Sequence, residues 1–324
     1  MDGEWRQTLE LLEATRRVLA RSGYSVSLVN YPRQYEKRSI DVLATREGES
    51  ILLKISTDIG SLNAREAREL RRLSLVLGAS PLLVALREHG EELEDIVAYE
   101  RYGVYALTPS GLEAALRNEL YVARRHGDFY MRIDGARLRE AREARGMSLG
   151  DLASIVGVTR RSIYEYERST MDVSLTVALK ILDVFGEEVF KPIPVLSESG
   201  RLKQGRRPRR PSVDNKLEAT VVTMLQRSGV EVVHTRHTPV DIASKTPGEG
   251  RAVVVVEHSR EKPSDMYDKC MEASKLASGV KAKAILLSSK RELGIDAEGL
   301  GMEVARRPEE VASLVLGDKH SQRA

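Results

Sequence analysis

The chain has 324 residues, of which 41% are hydrophobic and 31% are charged. This length exceeds that of one small domain, so two or three units with separate cores are expected. The formal net charge is only +3, because 51 basic residues stand against 48 acidic ones. The total charge therefore identifies no polyanionic partner, and the composition is that of an ordinary globular protein.

The sequence also argues against a membrane or secreted protein. The longest apolar runs, such as Ala252–Val256, have the length of a strand and are too short to cross a bilayer. The opening Met1–Trp5 lacks the basic and apolar stretches of an export signal, and the single cysteine, Cys270, cannot form an internal disulfide. We therefore expect a cytoplasmic protein with no membrane segment, in which Cys270 is a small buried hydrophobic residue on a helix.

The first segment alternates helix and strand patterns. Apolar residues at helical spacing over 6–22 predict a helix that ends at Ser22-Gly23. Further helices are predicted over 63–77 and from Pro109. The predicted strands cover residues 24–29, 40–44, 51–56, 81–85 and 104–107. These elements predict an α/β domain over residues 1–125, with a mixed sheet and flanking helices.

The central segment contains two short helix patterns with almost no room between them. Ser148 is a predicted N-cap, and the helix that follows it ends at Gly157. Thr159 can cap the next helix at once, which leaves Gly157-Val158 as the turn. Two helices joined so closely must cross steeply, which predicts a helix-turn-helix whose second helix lies in the DNA major groove. We assign residues 132–195 to this domain, with four to five helices.

The outward face of the second helix carries the candidate DNA contacts. With Ile163 and Tyr166 turned inward, the exposed tip of the helix is cationic. Arginine matches the O6/N7 edge of guanine, and serine or threonine at a helix start can hold a phosphate. The predicted DNA-binding residues are Ser148, Thr159, Arg160, Arg161, Ser162 and Glu165.

Residues 196–213 predict a basic flexible linker, because they combine cations and prolines without a hydrophobic period. We expect auxiliary phosphate contacts from Arg206, Arg207, Arg209 and Arg210. A solvated tether that contacts no phosphate is the alternative.

The C-terminal third repeats the element order of the first. Leu225–Gly229 matches Leu19–Gly23, and Asp241 matches Asp41. We therefore predict a second α/β domain over residues 214–317, so that two repeated α/β domains flank a central all-α domain. The sequence leaves open whether the two copies pack within one chain or across a dimer.

Each α/β copy has an order of elements similar to the PD-(D/E)XK nuclease core. That core needs an aspartate and, on the next strand, an acid and a lysine two residues apart, which bind a metal ion and activate water. The first copy has Asp41 and Lys54, but Leu52 stands in the place of the acid. A buried structural ion pair between Asp41 and Lys54 explains these two residues without chemistry.

The second copy is incomplete in a different way. It has Asp241 and Glu257, but Ser259 stands in the place of the lysine. His258 is expected on a strand face, and His234 has no partner at zinc spacing. We therefore predict that the protein is not an enzyme and has no catalytic residues, no metal site and no cofactor. A metal-dependent nuclease or DNA-processing enzyme is the alternative.

The central segment resembles the lambda-repressor-like, Cro-type (XRE) helix-turn-helix domain. The matching stretches are Leu138–Ala153, Val156–Ile163, Tyr166–Arg168, Ser174–Leu175 and Ala178–Phe185. The family commonly has a glycine after the glutamate, where this chain has Arg168. The arrangement of the whole chain also resembles a family of archaeal HTH-type transcriptional regulators.

These resemblances imply a transcriptional regulator that binds double-stranded DNA at specific sequences. The residues matching Arg160, Arg161 and Glu165 would face the bases, and members of the family usually bind as dimers. In this interpretation the chain forms a homodimer through its α/β domains, with no small-molecule effector assigned. An adaptor that bridges proteins is a further alternative and predicts no salt-dependent affinity for DNA.

Overall fold

The computed structural model describes residues 2–198, 213, 215–258, 261–290 and 295–317. The helices are α1 (Asp2–Arg21), α2 (Ala64–Leu77), α3 (Pro109–Leu116), α4 (Gly135–Ala144), α5 (Leu149–Val156), α6 (Arg160–Glu167), α7 (Leu175–Phe185), α8 (Val195–Glu198), α9 (Lys216–Arg227), α10 (Pro263–Gly279) and α11 (Pro308–Leu316). None of these helices combines the length and the apolar composition needed to cross a membrane.

The strands complete a mixed α/β protein. They are β1 (Ser25–Leu28), β2 (Val42–Arg46), β3 (Glu49–Ile55), β4 (Ser80–Val84), β5 (Arg87–Glu88), β6 (Glu91–Glu92), β7 (Val97–Arg101), β8 (Val104–Leu107), β9 (Val122–Arg125), β10 (Asp128–Ile133), β11 (Val173–Ser174), β12 (Phe190–Lys191), β13 (Glu231–His234), β14 (Ile242–Lys245), β15 (Arg251–Val256), β16 (Lys283–Leu287) and β17 (Glu303–Ala305). The predicted phosphate contacts Arg206, Arg207, Arg209 and Arg210 lie outside the described residues.

Contacts divide the chain into two units, each of which gathers separate segments. The first unit consists of Met1–Val18, Ser56–Ser61 and Leu83–Glu198, and contains the helix-turn-helix. The second consists of Leu19–Ile55, Leu62–Leu82 and Ser199–Ala324. The domain boundaries proposed from the sequence stay predictions.

The second unit contains strands of two sheets that are built alike. One has the strand order β1-β2-β3-β4 and the other the order β13-β14-β15-β16-β17. The first three strands of each are antiparallel, and α10 provides the crossover that the parallel pair β15–β16 requires. Side chains of α9 and α11 pack on one face of β14, β15 and β16. Cys270 is buried on α10, as predicted, and its burial raises the pKa of its thiol to about 12.

The two copies contact each other reciprocally within this unit. Helix α2 of the first copy packs on β13 and β14, and α10 of the second copy packs on β2. The Glu69 carboxylate on α2 accepts hydrogen bonds from the backbone N–H groups of Arg236, at 3.1 Å, and His237, at 2.8 Å. The Glu272 carboxylate on α10 accepts a hydrogen bond from the N–H group of Asn30, at 3.2 Å.

These reciprocal contacts resemble a twofold interface between two subunits, although both copies belong to the same chain. Asn30 and Arg236 are equivalent positions, because each follows a residue whose N–H donates to the carbonyl of Asp41 or Asp241. The two copies therefore pack within the chain. The expectation that these α/β domains also join two chains stays a prediction.

Replacing Glu69 with alanine is expected to lower the free energy of unfolding of this unit by about 2 kcal/mol. The change leaves the N–H groups of Arg236 and His237 without their acceptor, in a place where Glu69 itself is 9% exposed. Glu66 lies on the same helix but is only half-buried and caps that helix, so Glu66→Ala should cost at most about 1 kcal/mol. Urea unfolding of the two variants measures the difference, and equal losses would contradict this assignment.

In the first unit, the helix-turn-helix packs against strands of which the sequence predicted only β8. The strand order here is β8-β7-β9-β10-β11, and β12 also pairs with β10. Strands β9 and β10 form a hairpin through His126-Gly127, both with positive φ, as a two-residue hairpin turn requires. Val122–Arg125 is rich in arginine and lacks apolar alternation, which explains why no strand was predicted there.

Candidate nucleic-acid interface

The predicted helix caps around the turn are confirmed. The Ser148 hydroxyl accepts a hydrogen bond from the Asp151 N–H at 3.2 Å, and the Asp151 carboxylate accepts one from the Ser148 N–H at 2.7 Å. Gly157 has a φ of 76°, which ends α5 in the left-handed conformation. The Thr159 hydroxyl then accepts a hydrogen bond from the Ser162 N–H at 3.1 Å and caps α6. The two helices of the motif thus follow each other across Gly157-Val158.

Apolar side chains fix the pair against α4 and α7. The inward direction predicted for Ile163 and Tyr166 is confirmed, since they are 0% and 5% exposed. On α7, Leu179 is 51% exposed, and Ser174 at the N-cap position forms no side-chain cap. Lys180 on α7 donates to the carbonyl of Val156 at 3.1 Å, so a cation stabilises the C-terminus of α5.

A buried ion pair joins α4 to α6. Arg142, which the sequence placed in a small inward stripe, is 7% exposed. Its guanidinium donates Nε to Glu167 Oε1 at 2.5 Å and Nη2 to Oε2 at 3.1 Å, and a further nitrogen donates to the carbonyl of Met147 at 2.6 Å. The pair with Glu167 holds the pKa of the Arg142 guanidinium above its usual range against the effect of burial. This bidentate contact orients α6 from beneath.

The outer face of α6 presents its cations without internal partners. Arg160 and Arg161 are exposed, and neither forms an ion pair or a side-chain hydrogen bond with any residue in the described part of the chain. They occupy the first two positions of the helix, where a positive charge is destabilising because the N–H dipoles already point there. No contact within the described part of the chain offsets this cost.

The other predicted contact residues differ in accessibility. Ser148 and Thr159 are exposed, whereas Ser162 and Glu165 are half-buried. The hydroxyls of Thr159 and Ser162 lie 2.9 Å apart and hydrogen-bond each other. Glu165 Oε2 accepts a hydrogen bond from Thr170 at 2.5 Å, which leaves Oε1 for an external donor.

Sequence reasoning missed Tyr164 and left open how the chain turns out of α6. Tyr164 is 48% exposed on the same helix, three residues after Arg161, and the Arg168 guanidinium lies 5.5 Å from its ring. Arg168 has ordinary right-handed backbone angles, while Ser169 has a φ of 53°. The chain thus turns out of α6 at Ser169, whose hydroxyl accepts a hydrogen bond from the Gly135 N–H at 3.0 Å.

In the first α/β copy, the ion pair predicted from the sequence is confirmed. Lys54 Nζ lies 3.1 Å from Asp41 Oδ2, and both residues are buried. The same carboxylate accepts a hydrogen bond from the Ile55 N–H at 2.8 Å. Burial raises the pKa of the Asp41 carboxyl, and Lys54 acts against this effect. Leu52, in the place of the acid, is fully buried, so this copy lacks the second carboxylate of the nuclease motif.

In the second copy, the structure corrects the register of the motif. Asp241 accepts a hydrogen bond from the Val256 N–H at 2.7 Å, just as Asp41 does from Ile55. This equivalence puts Val253 and Val255 at the positions of the acid and the lysine. Strand β15 ends at Val256, so Glu257 and His258 are not strand residues. Glu257 lies 2.5 Å from Lys290 instead.

Another cluster lies beside Asp241. Among the described residues, Glu218, Asp241 and His258 offer ligand atoms that all lie within 4.8 Å of one another. The Nε2 atom of His234 lies 2.6 Å from Oε2 of Glu218. The sequence analysis, which expected no metal site, did not identify this cluster because its members are distant in the sequence.

Two family models match the chain. A helix-turn-helix model matches residues 138–190, and a PD-(D/E)XK superfamily domain model matches residues 8–121. The protein is therefore a helix-turn-helix protein that also carries a PD-(D/E)XK-like α/β domain. No solved structure matches the chain.

Archaeal relatives extend this likeness over most of the chain. A protein of Pyrococcus horikoshii is 37% identical over 239 residues, 73% of each chain. One of Aeropyrum pernix is 34% identical over 81% of this chain and 78% of its own, and one of Saccharolobus solfataricus is 28% identical over 88% and 89%. All three are provisionally named HTH-type transcriptional regulatory proteins. The chain belongs to this archaeal family.

Proposed function

We propose that the protein is a transcriptional regulator that binds double-stranded DNA at specific sequences through α6. The observation that carries the proposal is the pair of exposed cations, Arg160 and Arg161, at the N-terminal tip of a capped helix in a helix-turn-helix. A guanine edge in the major groove, or a phosphate of the DNA backbone, supplies the hydrogen-bond acceptors that these two side chains lack among the described residues. The archaeal relatives and the helix-turn-helix model support the same function.

Each predicted contact has a role that follows from its place on the motif. Arg160 and Arg161 read base edges, and Tyr164 extends the same outer face with an aromatic ring. Glu165 accepts a hydrogen bond from a base amino group through Oε1. Ser148, Thr159 and Ser162 bind backbone phosphates with their hydroxyls and with the free N–H groups at the two helix starts.

We also propose that the DNA-bound form is a homodimer and that the α/β copies arose by duplication. One recognition helix reads only a half-site, and pairing two of them doubles the contacts. The equivalent hydrogen bonds of Asp41 and Asp241 support a duplication. Because the two copies cover each other within the chain, the contact between chains uses another surface.

The α/β copies serve as a scaffold rather than as a nuclease. The first copy has Leu52 in the place of the acid, and the second has Val253 and Val255 in the places of both the acid and the lysine. Neither copy carries both the acid and the lysine at the strand positions of the motif. We therefore expect the protein to bind duplex DNA through its helix-turn-helix and to leave the DNA uncleaved.

Binding and cleavage assays on one purified sample distinguish the two functions. We expect the full chain to bind duplex DNA in EDTA, with an affinity that falls steeply between about 50 and about 200 mM salt. Supercoiled plasmid incubated with Mg²⁺ or Mn²⁺ should remain unnicked. Metal-dependent nicking that is lost in Asp241→Ala would establish the nuclease alternative, and salt-independent or absent binding would refute DNA recognition.

A further inference from the structure

A cleft of about 500 Å³ opens in the second unit and contains a group of potential metal ligands. Glu218 comes from α9, Asp241 directly precedes β14, and His258 follows β15. Their ligand atoms lie within 4.8 Å of one another, and Glu218 and Asp241 are only 5% and 9% exposed. Three separate elements therefore converge on one point at the edge of a cleft.

The hydrogen bonds around the cluster leave ligand atoms available. The Val256 N–H, at 2.7 Å, and Lys269 Nζ, at 2.9 Å, both contact Oδ2 of Asp241. Oδ1 of Asp241 receives no hydrogen bond from any residue that the structure describes. Glu218 contacts His234 through Oε2, while its Oε1 lies 3.3 Å from Nε2 of His258. Oε1 of Glu218 therefore faces the imidazole, and Oδ1 of Asp241 is available to a ligand.

The charges in the cleft favour a bound cation. The carboxylates of Glu218, Asp241 and Glu261 line it together with Lys269, which is buried, and Arg236, which is exposed. Buried carboxylates in excess of buried cations are unfavourable unless another positive charge joins them.

The first copy provides an internal comparison. There Lys54 contacts both oxygens of Asp41, at 3.5 Å to Oδ1 and 3.1 Å to Oδ2. The residues matching Glu218 and His258 in the sequence of that copy are Leu12 and Thr57, neither of which is a metal ligand of this kind. The additional ligands are confined to the copy in which Asp241 keeps a free oxygen.

We propose that Glu218, Asp241 and His258 form a mononuclear site for a divalent transition-metal ion. The ligand atoms are Oε1 of Glu218, Oδ1 of Asp241 and Nε2 of His258, and water from the cleft completes the coordination. An imidazole together with two carboxylates favours Mn²⁺ and similar ions over Mg²⁺, which prefers oxygen ligands alone. The site differs from the nuclease motif, whose strand positions are Val253 and Val255 here.

Asn215 controls the protonation of the imidazole. Its Nδ2 donates to Nδ1 of His258 at 2.8 Å, and its Oδ1 accepts a hydrogen bond from the Leu217 N–H at 2.8 Å. The neutral imidazole therefore carries its proton on Nε2 when no ion is bound. Metal binding moves this proton through solvent to Nδ1, which then needs an acceptor. Aspartate at position 215 would supply one oxygen for Nδ1 and one for the Leu217 N–H.

Titration of the metal-free full chain with Mn²⁺ tests the site. The protein is freed of any affinity tag, dialysed against EDTA and studied by calorimetry and by Mn²⁺ paramagnetic resonance. We expect one Mn²⁺ per chain, weaker binding of Mg²⁺, and at least about tenfold weaker Mn²⁺ binding in His258→Ala and Glu218→Gln. His237→Ala is the matched control, since His237 belongs to the same unit but does not line the cleft. Asn215→Asp should bind about tenfold more tightly.

Thermal unfolding separates loss of the site from loss of the fold. Mn²⁺ should raise the midpoint temperature of the natural protein and of His237→Ala, but not that of a folded His258→Ala. Absence of Mn²⁺ binding by the natural protein would overturn the proposal, as would undiminished binding in both His258→Ala and Glu218→Gln. Because the assay contains no DNA, its outcome is independent of the proposed regulator function.

Discussion

Replacing both Arg160 and Arg161 with alanine is expected to abolish selective DNA binding. Each bidentate contact to a guanine is worth about 1–3 kcal/mol, so the double variant should lose at least about 30-fold in affinity for a specific site. Both side chains are exposed and have no partner among the described residues, so the fold should be unaffected. Fluorescence anisotropy with a specific duplex and a scrambled one measures the change.

The control for this double variant is an arginine of the same domain that lies outside the proposed DNA-binding face. Arg139 on α4 is exposed, and its guanidinium pairs with Glu143 at 2.9 Å. Arg139→Ala should leave the ratio of specific to scrambled affinity unchanged. If it reduces that ratio as much as the double variant does, the binding face has been assigned to the wrong helix. Loss of a base contact lowers this ratio, whereas loss of a phosphate contact lowers the affinity for both duplexes alike.

Glu167→Ala is expected to have the largest effect on the stability of the helix-turn-helix. Removing one partner of a buried ion pair costs about 3–5 kcal/mol, because the other charge remains buried. The Arg142 and Glu167 side chains are 9% and 8% exposed, and Glu167 receives two hydrogen bonds from the guanidinium. Amide hydrogen exchange of α4, α5 and α6 reports the free energy of opening of this domain.

Glu143 offers a matched control, since it contacts the same guanidinium from the surface. Its side chain lies 3.3 Å from Arg142 and is 52% exposed. Glu143→Ala should therefore destabilise the domain far less, because solvent screens an exposed ion pair. A Glu167→Ala variant that exchanges its amides no faster than Glu143→Ala does would show that the buried pair contributes little.

The features that the sequence predicted are those that neighbouring residues determine. Ser148 with Asp151, Gly157 and Thr159 act within three or four positions of each other, so the caps and the turn of the motif could be predicted. The Asp41–Lys54 pair could also be predicted, because a buried lysine needs a carboxylate partner and the pleat of two adjacent strands brings this one near.

Features that depend on distant residues could not be predicted in this way. Arg142 was taken for part of a small inward stripe because its partner, Glu167, lies on another helix. The run Ala252–Val256 is apolar at every position, so it contains no alternation that would fix its register against Asp241. The cluster of Glu218, Asp241 and His258 joins three elements whose contact only the fold establishes.

Selection from a random pool of duplexes by the full chain tests the central claim most directly. The account predicts enrichment of one motif containing guanine, arranged as two half-sites about 10 base pairs apart if the bound form is a dimer. Arg160→Ala and Arg161→Ala should each relax the preference at particular positions of that motif. A pool that stays random after repeated rounds, or the same motif recovered by the double variant, would contradict sequence recognition through α6.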